Sequence, residues 1–91
     1  MEFRWNEEKN NVLERERGIC FDDILHAIEH WDLLGIEKHP RQDLYPWQRI
    51  LFVKINNYVY MIPAILEWPH SYFLKTIFPS RKATKRFISS P

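Results

Sequence analysis

The sequence is short of residues on which several common kinds of site depend. Its 91 residues include two glycines and one cysteine, Cys20. A phosphate-binding loop needs closely spaced glycines, so a nucleoside-triphosphate enzyme is excluded. A single cysteine cannot form an internal disulfide, which favours a reducing cytosol. We therefore expect a cytoplasmic protein in which Cys20, between apolar neighbours, is a small buried side chain and not a nucleophile.

Long apolar runs are missing as well. No run approaches the ~20 residues that cross a bilayer. The first eleven residues, MEFRWNEEKNN, lack the apolar segment of a signal peptide. We therefore expect no membrane partner. The chain length and the 45% share of apolar residues instead predict one folded domain over residues 1–91.

Acidic residues are nearly absent from the second half of the chain. Residues 1–44 hold six Lys and Arg against eleven Asp and Glu, a net charge of −5. Residues 45–91 hold seven Lys and Arg against Glu67 alone, a net charge of +6. The formal net charge of +1 therefore conceals a strong polarity. Such asymmetry points to an anionic ligand, of which nucleic acid is the commonest, although the acidic half could equally receive a basic partner.

The pattern of apolar residues predicts an α+β fold. Asn6 and Gly18 are good caps for a helix between them, and an amphipathic helix follows over 21–28. Alternation and turn residues predict strands at 2–5, 33–37, 48–55, 58–66 and 72–78. We expect two N-terminal helices packed on an antiparallel four-stranded sheet, with a short C-terminal helix over 81–88.

The predicted C-terminal helix carries a dense cationic cluster within FPSRKATKRF, residues 78–87. Four cations share one broad helical face: Arg81, Lys82, Lys85 and Arg86. Ala83 and Phe87 form the opposite, inward stripe. An ordinary solvated surface is the simplest interpretation. However, the cluster directly follows a strand and a turn, which can aim it at a ligand.

Further cations lie in the predicted strands. Arg49 and Lys54 are an odd number of positions apart, so an ideal strand places them on opposite faces. Lys75 stands among apolar residues and either reaches water or lies beside an anion site. The aromatics interleaved with these cations are either core residues or platforms for stacked bases: Tyr58, Tyr60, Trp68 and Tyr72.

The four histidines do not predict a metal site. His26 and His30 have a suitable i, i+4 spacing, but HAIEH lacks a convincing third ligand and differs from the zinc-protease pattern. We predict no metal and no cofactor. His39 and His70 lie in predicted loops, where they are either solvated or available as a general acid or base.

Two stretches of the chain resemble a known family. FRWNEEKNNVLERERGICFDDIL, residues 3–25, is similar to the opening of BrnT-type toxins, in which a strand ending in Trp-Asp leads into a helix with Lys and Asn. TIFPSRKATKRF, residues 76–87, resembles their closing motif. WQRILFV, residues 47–53, falls where the family has an arginine. The matching positions are Trp5, Lys9, Asn10, Arg49, Arg81, Lys82 and Thr84.

This resemblance implies a RelE-like fold and the toxin of a type II toxin–antitoxin system. Such a toxin is a small ribonuclease held inactive by an antitoxin from the same operon, in a complex that can be hetero-oligomeric. The expected reaction needs no metal. A base takes the proton from a ribose 2′-OH, cations stabilise the phosphoryl oxygens, and an acid protonates the leaving 5′-oxygen.

The expected site follows from this chemistry. Guanidinium groups match phosphate oxygens, so Arg49 and Arg81 are candidates for charge stabilisation. The predicted catalytic residues are Arg49, Lys54, Lys75 and Arg81, and the predicted RNA-binding residues are Lys82, Lys85 and Arg86. The general base stays open among Lys54, Lys75, His39 and His70.

Three departures from the family pattern bear on activity. Many members of that family have Lys-His where Glu16-Arg17 stands, and they often have arginine at Lys75 and glutamate where Arg86-Phe87 stands. If that histidine or glutamate transfers protons, activity is weaker, altered or lost.

Two alternatives remain. One is a non-catalytic nucleic-acid-binding module that uses the same basic C-terminal face. The other is an interaction protein whose basic helix docks an acidic partner. For the toxin, exposed Trp47 or Trp68 near loop tips would anchor the antitoxin.

Overall fold

The computed structural model describes residues 1–67 and 69–88. Two successive helices follow the first strand, and a run of strands then leads to the terminal helix, in the order predicted from the sequence. The α+β class is confirmed. They are β1 (Glu2–Trp5), α1 (Glu7–Arg17), α2 (Phe21–Glu29), β2 (Leu33–Lys38), β3 (Gln48–Ile55), β4 (Tyr58–Glu67), β5 (Ser71–Leu74), β6 (Phe78–Pro79) and α3 (Arg81–Phe87).

The sheet is larger than the four antiparallel strands that we expected. Its order is β1-β5-β4-β3-β2, and the two-residue β6 also pairs with β4. Strands β2 to β5 form an antiparallel series. Strand β1 adds a parallel edge, with Trp5 opposite Leu74. The predicted last strand is divided, because β5 ends at Leu74 and β6 begins at Phe78.

Helices α1 and α2 cover one face of the sheet, which we call the helix face. The side chain of Asn6 accepts a hydrogen bond from the Lys9 N–H at 2.9 Å, and Gly18 ends α1 with a φ of 70°. The main core lies between these helices and the sheet; it contains Leu13, Phe21, Ile24, Ala27, Leu51, Val53, Ile62, Ala64 and Leu74. In the described part of the chain, no helix is long and apolar enough to cross a membrane.

Cys20 departs from the prediction of a buried side chain. It lies at the start of α2 and is only partly buried. Its N–H donates to the Asp23 carboxylate at 2.9 Å. Burial is nevertheless the main cause that raises the pKa of the Cys20 thiol. The raised pKa disfavours the thiolate, so a structural role fits better than a nucleophilic one.

The opposite face of the sheet, which we call the α3 face, carries a smaller core. Helix α3 contributes Ala83 and Phe87, as its predicted inward stripe requires. The residues of this second cluster are Leu34, Ile50, Phe52, Val59, Met61, Ala83, Phe87 and Ile88. The sheet is therefore covered fully on one face and in part on the other.

A single buried polar side chain joins the first two helices. Asn10 is 5% exposed. Its amide oxygen accepts from the Phe21 N–H at 2.6 Å, and its amide nitrogen donates to Asp22 Oδ2 at 3.0 Å. The bond satisfies a buried donor at the first residue of α2, where the helix itself offers no acceptor.

We expect the Asn10→Ala variant to lose about 1–3 kcal/mol of unfolding free energy, because the buried Phe21 N–H would be left without a partner. Urea denaturation followed by circular dichroism measures the loss. The matched control is Asn11→Ala on the exposed side of α1, which should change stability by less than about 0.5 kcal/mol. Equal stabilities of the two variants would contradict this role of Asn10.

Candidate nucleic-acid interface

Helix α3 is fixed to the sheet through the backbone of Val59, a fully buried residue of β4. The Val59 N–H donates to Thr84 Oγ1 at 2.9 Å, and the Val59 carbonyl accepts from the Ser80 N–H at 3.0 Å. The Thr84 hydroxyl in turn donates to the Ser80 carbonyl at 2.7 Å. The Ser80 hydroxyl caps the helix by accepting from the Ala83 N–H at 3.0 Å. These bonds determine where the cations of α3 lie on the sheet.

A cleft of about 480 Å³ opens between α3 and strands β2 to β4. Its apolar lining consists of Pro40, Ile50, Phe52, Met61 and Ala83, and its polar lining of Glu37, Lys38, Ser80, Lys82 and Arg86. Two of the four predicted cations of α3 thus border an apolar depression. Arg81 and Lys85 are exposed on the same helix but do not line this cleft.

Arg86 is held in place by an acid and two aromatic rings. Its guanidinium pairs with the Glu37 carboxylate and lies 4.6 Å from the Phe87 ring centroid and 5.5 Å from that of Phe52. The hydrogen bond from Arg86 lowers the pKa of Glu37 and raises the pKa of Arg86. Lys82 differs, since no carboxylate among the described residues pairs with it. Lys82 is therefore the cleft cation of α3 that is available to a ligand.

A second group of cations surrounds Phe73 on the same face of the sheet. Ile50 of β3 lies opposite Pro63 of β4, and Ile65 of β4 lies opposite Phe73 of β5, so Phe73 is on the same face of the sheet as the cleft. Arg4 and Lys75 both lie 5.8 Å from the Phe73 ring centroid, and Arg4 also pairs with Glu67 at 3.3 Å. Lys75 is exposed. The α3 face thus presents a partly exposed ring flanked by cations, as well as the cleft.

The structure separates Arg49 from these cations. Arg49 lies opposite Ala64, a residue of the main core, so the Arg49 side chain leaves the sheet on the helix face. Its guanidinium donates to the carbonyls of Pro46 and Gln48 at 3.0 Å each. The structure therefore does not bring Arg49 and Arg81 together, because they start on opposite faces of the sheet.

The register starts Lys54 on the α3 side of the sheet, but the residue has a partner of its own and lines a second cavity, together with Arg17 and His26 of the first two helices. Its Nζ is 3.8 Å from Asp32 Oδ1, and its backbone lies opposite Val59. The opposite orientation of Arg49 and Lys54 agrees with the alternation predicted from the sequence. Lys54 is not part of the cleft lining.

Both loop histidines lie outside the cleft. The His39 ring is 4.6 Å from that of Tyr45, and its Nδ1 accepts from the Arg41 N–H at 3.0 Å. His70 is exposed in the connection before β5. None of the four residues named as possible bases lines the cleft: Lys54, Lys75, His39 and His70.

The aromatic residues divide between core and surface. Tyr60 and Tyr72 pack against the main core on the helix face, so they are not stacking platforms beside α3. Tyr58 meets Tyr60 edge to face at 6.0 Å. Trp47 is 54% exposed, as an anchor for a partner requires. Trp68 lies outside the described residues.

One group of potential metal ligands occurs in the described part of the chain. Single ligand atoms of Glu14, Cys20 and Asp23 lie within 4.8 Å of one another. Asp23 is already engaged by the Cys20 N–H, so the group belongs to the start of α2. The rings of His26 and His30 are 4.2 Å apart between centroids and tilted by 39°, and neither residue is a member of this group.

Several residues that carry the family resemblance hold the fold together. Trp5 stacks on Phe21 at 5.7 Å, while Asn10 and Thr84 make the buried bonds described above. Arg17, which stands where many BrnT-type toxins have histidine, donates to the Ile77 carbonyl at 2.6 Å and lies 5.6 Å from the Phe78 ring centroid. This departure therefore has a structural use.

Sequence reasoning missed the residues that β2 and β3 bring to the cleft. Glu37, Lys38 and Phe52 were not proposed, because nothing local marks them. Glu37 and Arg86 are 49 positions apart. A pairing of β2 with β3 and the placement of α3 are both needed to see that they meet.

Comparisons of the chain with protein families, with curated proteins and with solved structures found no match.

We expect the Thr84→Val variant to lose about 1–3 kcal/mol of unfolding free energy, because the shape is kept while the buried Val59 N–H loses its acceptor. Thr84→Ser keeps the hydroxyl and should lose less. Urea denaturation of both variants measures the difference. A larger loss for Thr84→Ser than for Thr84→Val would show that the methyl group, and not the hydroxyl, secures α3.

The ion pair between Glu37 and Arg86 should make stability depend on pH. Because the folded state lowers the Glu37 pKa, the pair stabilises the fold above the ordinary carboxyl value of 4.5. That contribution disappears as the pH falls through the lowered pKa. The stability difference between the native protein and Glu37→Gln should therefore shrink between about pH 5 and pH 3. Thermal melts measure it, with the exposed Glu29→Gln as the control; a difference that does not vary with pH would contradict the pair's role.

Proposed function

We propose that this protein is the toxin of a type II toxin–antitoxin pair, a metal-independent ribonuclease that cleaves RNA by attack of the 2′-OH. The observation that carries the proposal is the apolar cleft beside α3 with Lys82 at its rim. A cation that has no carboxylate partner among the described residues, beside an apolar surface, suits a ligand that combines phosphates with flat bases. The motifs in residues 3–25 and 76–87 that resemble BrnT-type toxins favour the same function.

A RelE-like arrangement is part of this proposal. It is supported by two helices on one face of the antiparallel series β2 to β5, and by a short terminal helix on the other face. The additional strands β1 and β6 extend the sheet without covering the α3 face. We take the BrnT resemblance and this layering together as grounds for a toxin fold.

An RNA strand has a continuous path across the α3 face. A base can stack on Phe73, with Lys75 beside the neighbouring phosphate. The strand then crosses the half-buried residues Ile65 and Pro63 and reaches Lys82 at the cleft. Aromatic stacking and backbone cations are the two contributions on which single-strand binding depends.

Cleavage on this path requires charge stabilisation and proton transfer. Arg81 and Lys82, at the start of α3, are the candidates for the phosphoryl oxygens. The general base stays open among Lys54, Lys75, His39 and His70, none of which lines the cleft. The antitoxin would cover the same cations, and exposed Trp47 offers it an anchor beside β3.

A non-catalytic RNA-binding module is the second candidate. It is favoured by the cleft lining, in which the one carboxylate, Glu37, is ion-paired and no histidine takes part among the described residues. Such a cleft would hold RNA by cations and apolar contacts alone. Binding without cleavage would distinguish this candidate.

The test is incubation of the purified, partner-free protein with end-labelled RNA in excess EDTA. We expect fragments that end in 2′,3′-cyclic phosphate. The double variant Arg81→Ala/Lys82→Ala should cleave at least about tenfold more slowly, because phosphoryl charge would lose its nearest cations. The matched control Arg15→Ala removes an exposed cation of α1 on the helix face and should cleave at the native rate.

Three results would count against the proposed function or its site. If the double variant cleaved RNA at the native rate, Arg81 and Lys82 would not belong to the cleavage site. Intact RNA that binds with a steep dependence on salt would favour the binding module. Intact RNA with no salt-dependent binding would contradict both candidates and favour a protein partner for the basic helix.

A further inference from the structure

The cleft beside α3 contains an acid where a simple phosphate site would have only cations. Glu37 lines it together with Lys38, Lys82 and Arg86. A carboxylate repels phosphate oxygens, so the part of the cleft near Glu37 is unsuited to the RNA backbone. It is suited to a group that donates hydrogen bonds.

Arg86 fixes the Glu37 carboxylate as an acceptor. The guanidinium bonds Glu37 Oε2 and is itself held against the rings of Phe52 and Phe87. Glu37 Oε1 has no hydrogen-bond donor among the described residues. An ionised carboxylate has about four acceptor positions on its two oxygens. Most of these positions on Glu37 are therefore free to accept hydrogen bonds from a ligand in the cleft.

The remainder of the cleft suits a flat, apolar ring. Ile50 lies directly opposite Glu37 in the pairing of β2 with β3, and Phe52 and Met61 are also opposite one another in the pairing of β3 with β4. These side chains line a volume of about 480 Å³. That volume is within the range of small-molecule sites and accepts a single nucleobase.

The four bases differ in what they offer a carboxylate. Guanine presents two adjacent donors, N1–H and N2–H, on its Watson–Crick edge. Adenine and cytosine present an amino group beside an acceptor nitrogen. Uracil presents one donor between two carbonyl oxygens, which a carboxylate repels.

From these contacts we infer that the cleft between α3 and strands β2 to β4 is a nucleobase subsite that selects guanine, with Glu37 as the reading residue and Lys82 beside the adjacent phosphate. The inference rests on the proposed function, because the ligand is taken to be RNA. It adds a specificity that the basic cluster alone does not provide, since phosphate contacts carry no sequence information.

The experiment measures binding of labelled hexanucleotides UUXUUU with X as guanine, inosine, adenine or uracil. A 2′-fluoro group at every sugar removes the attacking hydroxyl, so that binding is observed without cleavage. Inosine lacks only the N2 amino group of guanine. We expect the guanine oligonucleotide to bind about tenfold more tightly than the uracil one, with inosine between them.

Variants separate base reading from phosphate contact. Glu37→Gln keeps the side-chain size but replaces one acceptor oxygen by a donor group, so the preference for guanine over uracil should disappear. Lys82→Gln should weaken all four oligonucleotides by the same factor, lower the salt dependence by about one phosphate contact, and keep the preference. Glu29→Gln makes the same charge change as Glu37→Gln on α2, which packs on the other sheet face, and should keep native binding.

The outcomes distinguish this inference from the proposed function. If no oligonucleotide binds the native protein, both are overturned. If all four bind with equal affinity, the guanine subsite is overturned while RNA binding stands. If Glu37→Gln is folded at the temperature of the binding experiment, as circular dichroism shows, and keeps the preference, Glu37 is not the reading residue. The comparison of guanine with inosine on the native protein needs no variant, so it remains available even if Glu37→Gln does not fold. Equal binding of the two would overturn recognition of the guanine N2 amino group.

Discussion

The backbone of Val59 is the point on which the α3 face depends. Helix α3 has only seven residues and would not be stable alone. Its position comes from the two bonds to Val59 and from burial of Ala83 against Phe52. Because Val59 is inaccessible to water, loss of those bonds would leave buried groups unpaired. The same two bonds thus secure the terminal helix, which lines one side of the cleft, and they determine where the cations of α3 lie.

The sheet also keeps the acidic residues of the two N-terminal helices apart from the cationic residues of the C-terminal helix. The acids of α1 and α2 lie on the helix face, and the cations of α3 lie on the other. The molecule is 22 Å across at its thinnest, whereas screening at physiological salt acts over about 8 Å. An anionic ligand on the α3 face is therefore little repelled by the acidic helices, and the small net charge does not weaken attraction to this face.

Local signals predicted much of the fold. Asn6 and Gly18 mark the ends of α1, and the hairpin turn has Asn56 and Asn57 at φ values of 51° and 60°, which asparagine tolerates well. Long-range pairings were not predictable in this way. The parallel alignment of β1 with β5 and the ion pair of Glu37 with Arg86 join distant segments, and no periodicity within either segment names its neighbour. The cationic helix was therefore predicted, but not the cleft that it borders.

The contacts also divide the family resemblance into two kinds of residue. Trp5, Asn10 and Thr84 match the family and make packing or buried hydrogen bonds, so their presence favours the fold more than the activity. Arg81 and Lys82 also match, and they are exposed where a phosphate can reach them. Glu37 belongs to neither matching stretch. If RNA is cleaved here, the shared residues hold the helix and its phosphate contacts, while the choice of base depends on a carboxylate that the resemblance does not include.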